Sequence, residues 1–451
     1  MPACGWLCPM EKQYRRFGMG NIIDYIDWRG DLPLSVDPFN EVDNLILSQL
    51  AYFDFSGLVP EPGRQDYARG FEIIEKANRR SRTLTDQLNA KDVPERFRQL
   101  PLLLLKVAAS VRFGNMRYTN YMNIVDSSKD EQLAAITYIL DDGSYYVAFR
   151  GTDDSLIGWK EDFDFSYMHQ TAGQRDAVSY MDSTLTGVIA DIRVGGHSKG
   201  GNFAVYAAAF CNPAVNERIL TVYSNDGPGF IESLKDSPEF GKIIPRIKKF
   251  TPAYSIIGIL MSGEVKPKVI QSTGDKVMQH DGFTWQVLGK SFLEADQREK
   301  GSIFFDQTIR TWVAGESTQN RKFFIDTLFG LLDKTGATTF SEVTKSKTQT
   351  MLKVLAVMRE MPKESRDAFA RIWLDLAKSR GLVWMNDFQS STENLLDKLK
   401  ENMKKADEVP AENEDKAAEG KTAENGRIED GYEPGKLPEH IGTNEADLQE
   451  K

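Results

Sequence analysis

The chain has little cysteine, little histidine, no long apolar run and no surplus of positive charge. Its three cysteines, Cys4, Cys8 and Cys211, leave one unpaired in any scheme, and Cys4 and Cys8 are not in a CxxC spacing. A disulfide framework is therefore not expected, nor is a metal or cofactor site. A reducing, cytoplasmic setting is the simpler expectation, and 451 residues can bury a large core without staples. Residues 1–16 mix prolines with charges and lack the apolar region of a secretory leader. Nowhere do about 18 apolar residues run together, so no membrane span is expected. The net charge of −10 is concentrated at one end: residues 401–451 carry fifteen acidic against seven basic side chains, and the first 400 residues are nearly neutral. A body without a basic field is not expected to bind nucleic acid.

What is present is a changing period. Asp37-Pro38 reads as an N-cap followed by a first-turn proline, with Val42, Leu45, Ile46, Leu50 and Phe53 at helical spacing behind it. From Arg117 to Thr152, β-branched and aromatic residues predict strands over Tyr118–Val125, Ala134–Leu140 and Tyr145–Phe149. The last two are joined by the Asp141-Asp142-Gly143 turn. A helix is expected over Arg175–Ile189, then short strands at Ile192–Gly195, Ile219–Ser224 and Val269–Ser272, the first two separated by helix. This alternation predicts a mostly parallel sheet with helices on both faces. Two apolar stripes follow Gly301, one of Phe324, Leu328, Leu331 and Leu332, the other of Phe369, Ile372, Trp373 and Leu376. Four segments are expected: a poorly ordered N-terminal segment (1–32), an α/β core with N-terminal helices (33–300), a helical region packed on it (301–400) and an acidic tail (401–451). The tail is too poor in large apolar side chains to offset its ordering entropy, so disorder is expected there.

Gly196-His197-Ser198-Lys199-Gly200 is a GxSxG sequence, and its flanks give it meaning. A short strand precedes it and the Ala-rich run Gly201–Phe210 follows as a helix. That is the setting of a nucleophile elbow, where the serine occupies a strained turn at the carboxyl end of a strand and small neighbours let the turn close. The competing reading is a Gly-rich turn that packs closely or holds a phosphate at the helix N-terminus. Lys199 reads as a solvated side chain at the start of that helix. A serine hydroxyl needs a base, usually histidine. Of the four histidines, His197 is in the elbow, where its side chain should point away from Ser198, and His440 lies in the tail. His169 precedes the serine, against the Ser, Asp, His order of α/β-hydrolases, so His280 remains. Asp226 follows the strand after the elbow, where α/β sheets collect their sites, and is the candidate acid. A plain turn-forming aspartate in Asn225-Asp226-Gly227-Pro228-Gly229 is the alternative. An oxyanion requires donors, and the amides of Lys199 and of Thr152, in Arg150-Gly151-Thr152, are the candidates.

Phe149-Arg150-Gly151-Thr152, Gly158-Trp159-Lys160-Glu161-Asp162-Phe163 and Gly196-His197-Ser198-Lys199-Gly200-Gly201-Asn202 resemble the class 3 lipases and an uncharacterised bacterial lipase-like family of α/β-hydrolases. Phe39-Asn40-Glu41-Val42-Asp43 and Gln279-His280-Asp281 are similar to the second family. The resemblance spans residues 33–390 and implies an α/β-hydrolase fold, with Ser198 and His280 in catalytic positions and Thr152 at the oxyanion loop. Class 3 lipases carry their acid after the strand that follows, and the matching stretch, Lys249–Gly258, has Ser255 there. The acid is then Asp226 or Asp275, or the site is weakened. The expected activity is that of a serine esterase on a small-molecule or lipid ester. An acyltransferase using the same serine is a second expectation, and a non-catalytic binding protein of hydrolase fold, suggested by Ser255 and the long acidic tail, a third.

Overall fold

The computed structural model describes residues 20–334 except 81–82, 91–94, 127, 130, 154–155, 262 and 264, together with 336, 363, 365 and 367–369. The expected disordered tail, Cys4, Cys8, His440 and the stripe residues Ile372, Trp373 and Leu376 lie outside the described residues.

Eight strands pair in chain order: β1 (Ala68–Arg69), β2 (Arg117–Asp126), β3 (Glu131–Ile139), β4 (Tyr145–Phe149), β5 (Ile192–His197), β6 (Ile219–Asn225), β7 (Ile247–Pro252) and β8 (Lys268–Ile270). β1 to β4 pair antiparallel and β4 to β8 parallel. The β3–β4 hairpin turns through Gly143 at φ +81°, a backbone region that glycine enters without a Cβ clash. The last strand stops at Ile270, two residues short of the expected Ser272, and β7 was not expected from periodicity.

The helices that bear on the site are, in chain order, α1 (Ile22–Arg29), α2 (Glu41–Leu50), α3 (Gly70–Asn78), α4 (Glu95–Ala109), α5 (Leu156–Asp164), α6 (Ala172–Leu185), α7 (Lys199–Phe210), α8 (Lys300–Gly315) and α9 (Thr318–Lys334). Parallel crossovers are right-handed, so parallel strands laid down in consecutive order send their crossover helices to one face. Val147, Phe149, Val194 and Val222 on that face pack with Ala177 and Met181 of α6 and Phe203 and Ala207 of α7. Successive strand residues alternate faces. Tyr146, Ala148, Tyr223 and Phe250 therefore meet the N-terminal helices, including Ile22, Leu45 and Leu103. The N-terminal segment supplies the layer that the crossovers leave open. This three-layered, mostly parallel arrangement is an α/β-hydrolase fold.

Two helix starts differ from expectation. α2 is capped by Asn40 rather than Asp37: Asn40 Oδ1 accepts from the Val42 and Asp43 amides, and Asp43 Oδ2 accepts from the Asn40 amide at 2.9 Å. That reciprocal box satisfies donors that Asp37 is too distant to reach. Asp37 instead pairs with Lys290 at 3.1 Å and Arg29 at 3.5 Å. α1 lies inside the segment expected to be poorly ordered; Asn21 and Asp24 form a second capping box, and Ile22, Tyr25 and Ile26 are buried. Among the described residues no helix is long and apolar enough to cross a membrane.

Candidate active site

β5 ends at His197 and α7 begins at Lys199, so Ser198 alone makes the turn, at φ +58° and ψ −134°. The flanking glycines are required sterically. A Cβ on Gly196 would run into the backbone of Gly200, and one on Gly200 into the carbonyl oxygen of Phe149. The Ser198 amide donates to the Asn225 carbonyl at 2.9 Å, tying the elbow to the end of β6. Asn225 also donates through Nδ2 to the Gly196 carbonyl at 3.1 Å and receives the Asn44 amide of α2 at 2.8 Å. The buried polar face of α2 thereby holds the carboxyl ends of β5 and β6 together.

Asp226 follows β6 and is fully buried, its backbone in the left-handed region at φ +52°. Its Oδ2 accepts from His280 Nδ1 at 2.6 Å and its Oδ1 from the Ser255 hydroxyl at 2.6 Å. A Cβ on Gly258 would collide with Oδ1, so glycine there leaves room for the carboxylate. Ser255 is itself fixed by the Gly258 amide, by Ser302 Oγ accepting its amide, and by its carbonyl accepting Ser302 Oγ–H at 2.7 Å. Among the described residues neither Ser198 Oγ nor His280 Nε2 has a hydrogen-bond partner. Asp275, the other candidate acid, precedes the 3-10 turn Lys276–His280, and its carboxylate has no hydrogen bond or ion pair with another described residue.

Three side chains without a role in the sequence analysis stand around His280: His197 touches it, Tyr52 backs His197, and Gln279 anchors the residue before it. His197 Nε2–H donates to the His280 carbonyl at 2.7 Å; a carbonyl only accepts, so the proton is on Nε2 and Nδ1 is left to accept from the Tyr52 hydroxyl at 3.1 Å. The two imidazole rings lie 4.7 Å apart, and the side chain of His197 is thus turned to His280 rather than to solvent. Gln279 accepts from the Tyr254 amide and donates to Glu299 at 2.7 Å. The position of His197 next to a GxSxG serine was the one available signal for its role.

Thr152 and Lys199 flank the serine. A Cβ on Gly151 would meet Ser198 Cβ and the His197 carbonyl, so glycine lets the β4 loop close on the elbow. The Thr152 hydroxyl is committed to Asp162 Oδ2 at 2.5 Å, leaving its amide as the group available to a ligand. Burial pushes the Asp162 carboxyl up to about 6, against the opposing influence of Lys199 and the Thr152 hydroxyl. The Lys199 amide is among the first-turn donors that an α-helix leaves unpaired. Its side chain corrects the expectation of a solvated lysine: it is fully buried and paired with Glu161 at 3.0 Å. Glu161 also accepts from the Gln132 and Gly173 amides at 3.1 Å, which satisfies the buried carboxylate.

Residues 107–330 match the family model described as Mbeg1-like. The matched span contains all the candidate site residues, and the match supports a relationship to lipase-like hydrolases. No curated protein matches the chain. Similar solved structures include the M37 lipase, at 15% identity over 40% of this chain and 70% of the other, with a TM-score of 0.27. The Rhizomucor miehei lipase in its propeptide complex is similar at 15% identity over 44% of this chain and 67% of the other, also with a TM-score of 0.27.

Proposed function

We propose that the protein is a serine hydrolase that cleaves carboxylic esters, lipid esters among them, through an acyl-serine intermediate. The observation that carries this is the buried Asp226 carboxylate 2.6 Å from His280 Nδ1, behind a serine held at positive φ at the end of β5. Asp226 fixes the ring and its tautomer, so that Nε2 takes the Ser198 proton as Oγ attacks the ester carbonyl. The amides of Lys199 and Thr152 donate to the developing oxyanion. His280 then protonates the leaving alkoxide, and a water activated by the same nitrogen releases the acid and restores the serine. The match to a lipase-like family supports the reading. The test is labelling of the full chain with a fluorophosphonate probe. Wild type should label and Ser198→Ala should not; a wild type that fails to label, or an alanine variant that labels equally, removes the proposal.

A further inference from the structure

At the end of the sheet away from Ser198, where the β3–β4 hairpin turns, Arg69 of β1 stands directly opposite Arg117 of β2. Residues opposite each other in an antiparallel pair share a face, and like charges in that position destabilise the sheet. Neither guanidinium has an ion pair or a side-chain hydrogen bond with another described residue. Both instead lie against one ring: the guanidinium carbons are 6.0 Å and 5.1 Å from the centroid of Tyr67, which is 41% exposed. These three side chains line a hollow of about 310 Å³ with Asn115, Leu140 and Asp141. That volume is at the small end of ligand sites.

We propose that this hollow binds a small phosphomonoester that carries hydroxyl groups. Two unpaired guanidinium forks suit the oxygens of a phosphate, each through paired charge-assisted hydrogen bonds, and the bound anion relieves the repulsion between the arginines. The exposed Tyr67 ring offers an apolar face to a glycerol or sugar carbon chain. The Asn115 amide and the Asp141 carboxylate, which also line the hollow, match hydroxyl groups, and Asp141 disfavours a ligand with a second phosphate. The same chemistry occurs in a free ester and in the headgroup of an anionic lipid. The site is independent of whether Ser198 acts as proposed above.

Calorimetric titration of the full chain with glycerol 3-phosphate, inorganic phosphate and glycerol tests the inference. Cosedimentation with phosphatidylcholine vesicles, with and without phosphatidic acid, identifies the source. Glycerol 3-phosphate should bind saturably and more tightly than inorganic phosphate, and glycerol should not bind. Arg69→Gln and Arg117→Gln should each weaken binding by about tenfold or more. Each should also raise the urea midpoint of the ligand-free protein, which shows that the variants fold. Binding only to vesicles containing phosphatidic acid supports the site with a lipid headgroup as its ligand. Absence of saturable binding by every phosphate probe, or equal binding by wild type and variants, overturns the proposal. Equal affinity for inorganic phosphate and the ester overturns the assignment of an ester.

Discussion

Ser255 looked like the mark of a lost acid, since it stands where the lipases this chain resembles carry their aspartate. Its hydroxyl instead donates to Asp226, which reaches His280 from the preceding strand. A hydrogen bond to a charged group is worth about 1.5–3 kcal/mol. Ser255→Ala should therefore lower kcat on a model ester by roughly ten- to a hundredfold. Asp226→Asn should lower it by about 10⁴-fold, because the ring loses the acceptor that sets its tautomer. Asp275→Asn should leave it unchanged. Full activity in Asp226→Asn, or a large loss in Asp275→Asn, would move the acid elsewhere.

At the scale of elements, the strands from Arg117 to Asn225 and the elbow were legible because each follows a clear period bounded by turn residues. β7 was not, because Ile247-Lys248-Lys249-Phe250-Thr251-Pro252 interrupts its apolar positions with two lysines and ends in proline. Burial of Lys199 was equally hidden, since its partner Glu161 is 38 residues earlier in the chain. The uninterrupted apolar run Phe203–Phe210 marks α7 as a buried helix, but Lys199 lies outside that run. Lys199→Met would leave Glu161 as an uncompensated buried charge and should cost about 3–5 kcal/mol. Lys199→Met combined with Glu161→Gln should recover much of that loss. Urea midpoints of the three proteins decide it, and a harmless single variant would show that the pair is not needed for stability. The role of His197 had only its place in the motif to announce it, because the Tyr52 and His280 contacts join residues distant in sequence.

Stability of the whole molecule should carry the imprint of Asp162. Its carboxyl is raised from 3.8 to about 6 in the folded protein, so the folded state holds the proton more tightly than the unfolded chain does. Stability therefore falls as pH rises from about 4 to 6, and the full penalty is present above that window. A shift of this size corresponds to something on the order of 3 kcal/mol. Asp162→Asn keeps an acceptor for the Thr152 hydroxyl and removes the ionisation, so its urea midpoint should rise relative to wild type across that interval and then stay level. A difference between the two proteins that does not change with pH would contradict the assignment.

The backbone at Ser198 and Asp226 has a wider meaning. Both are non-glycine residues held at positive φ at the ends of adjacent strands, a conformation that costs about 1–3 kcal/mol each. Glycine in place of Ser198, whose hydroxyl has no hydrogen-bond partner among the described residues, would relieve that strain, whereas glycine in place of Asp226 would also strip His280 and Ser255 of their buried acceptor. The fold therefore sets durability against reactivity at Ser198, where the proposed chemistry begins.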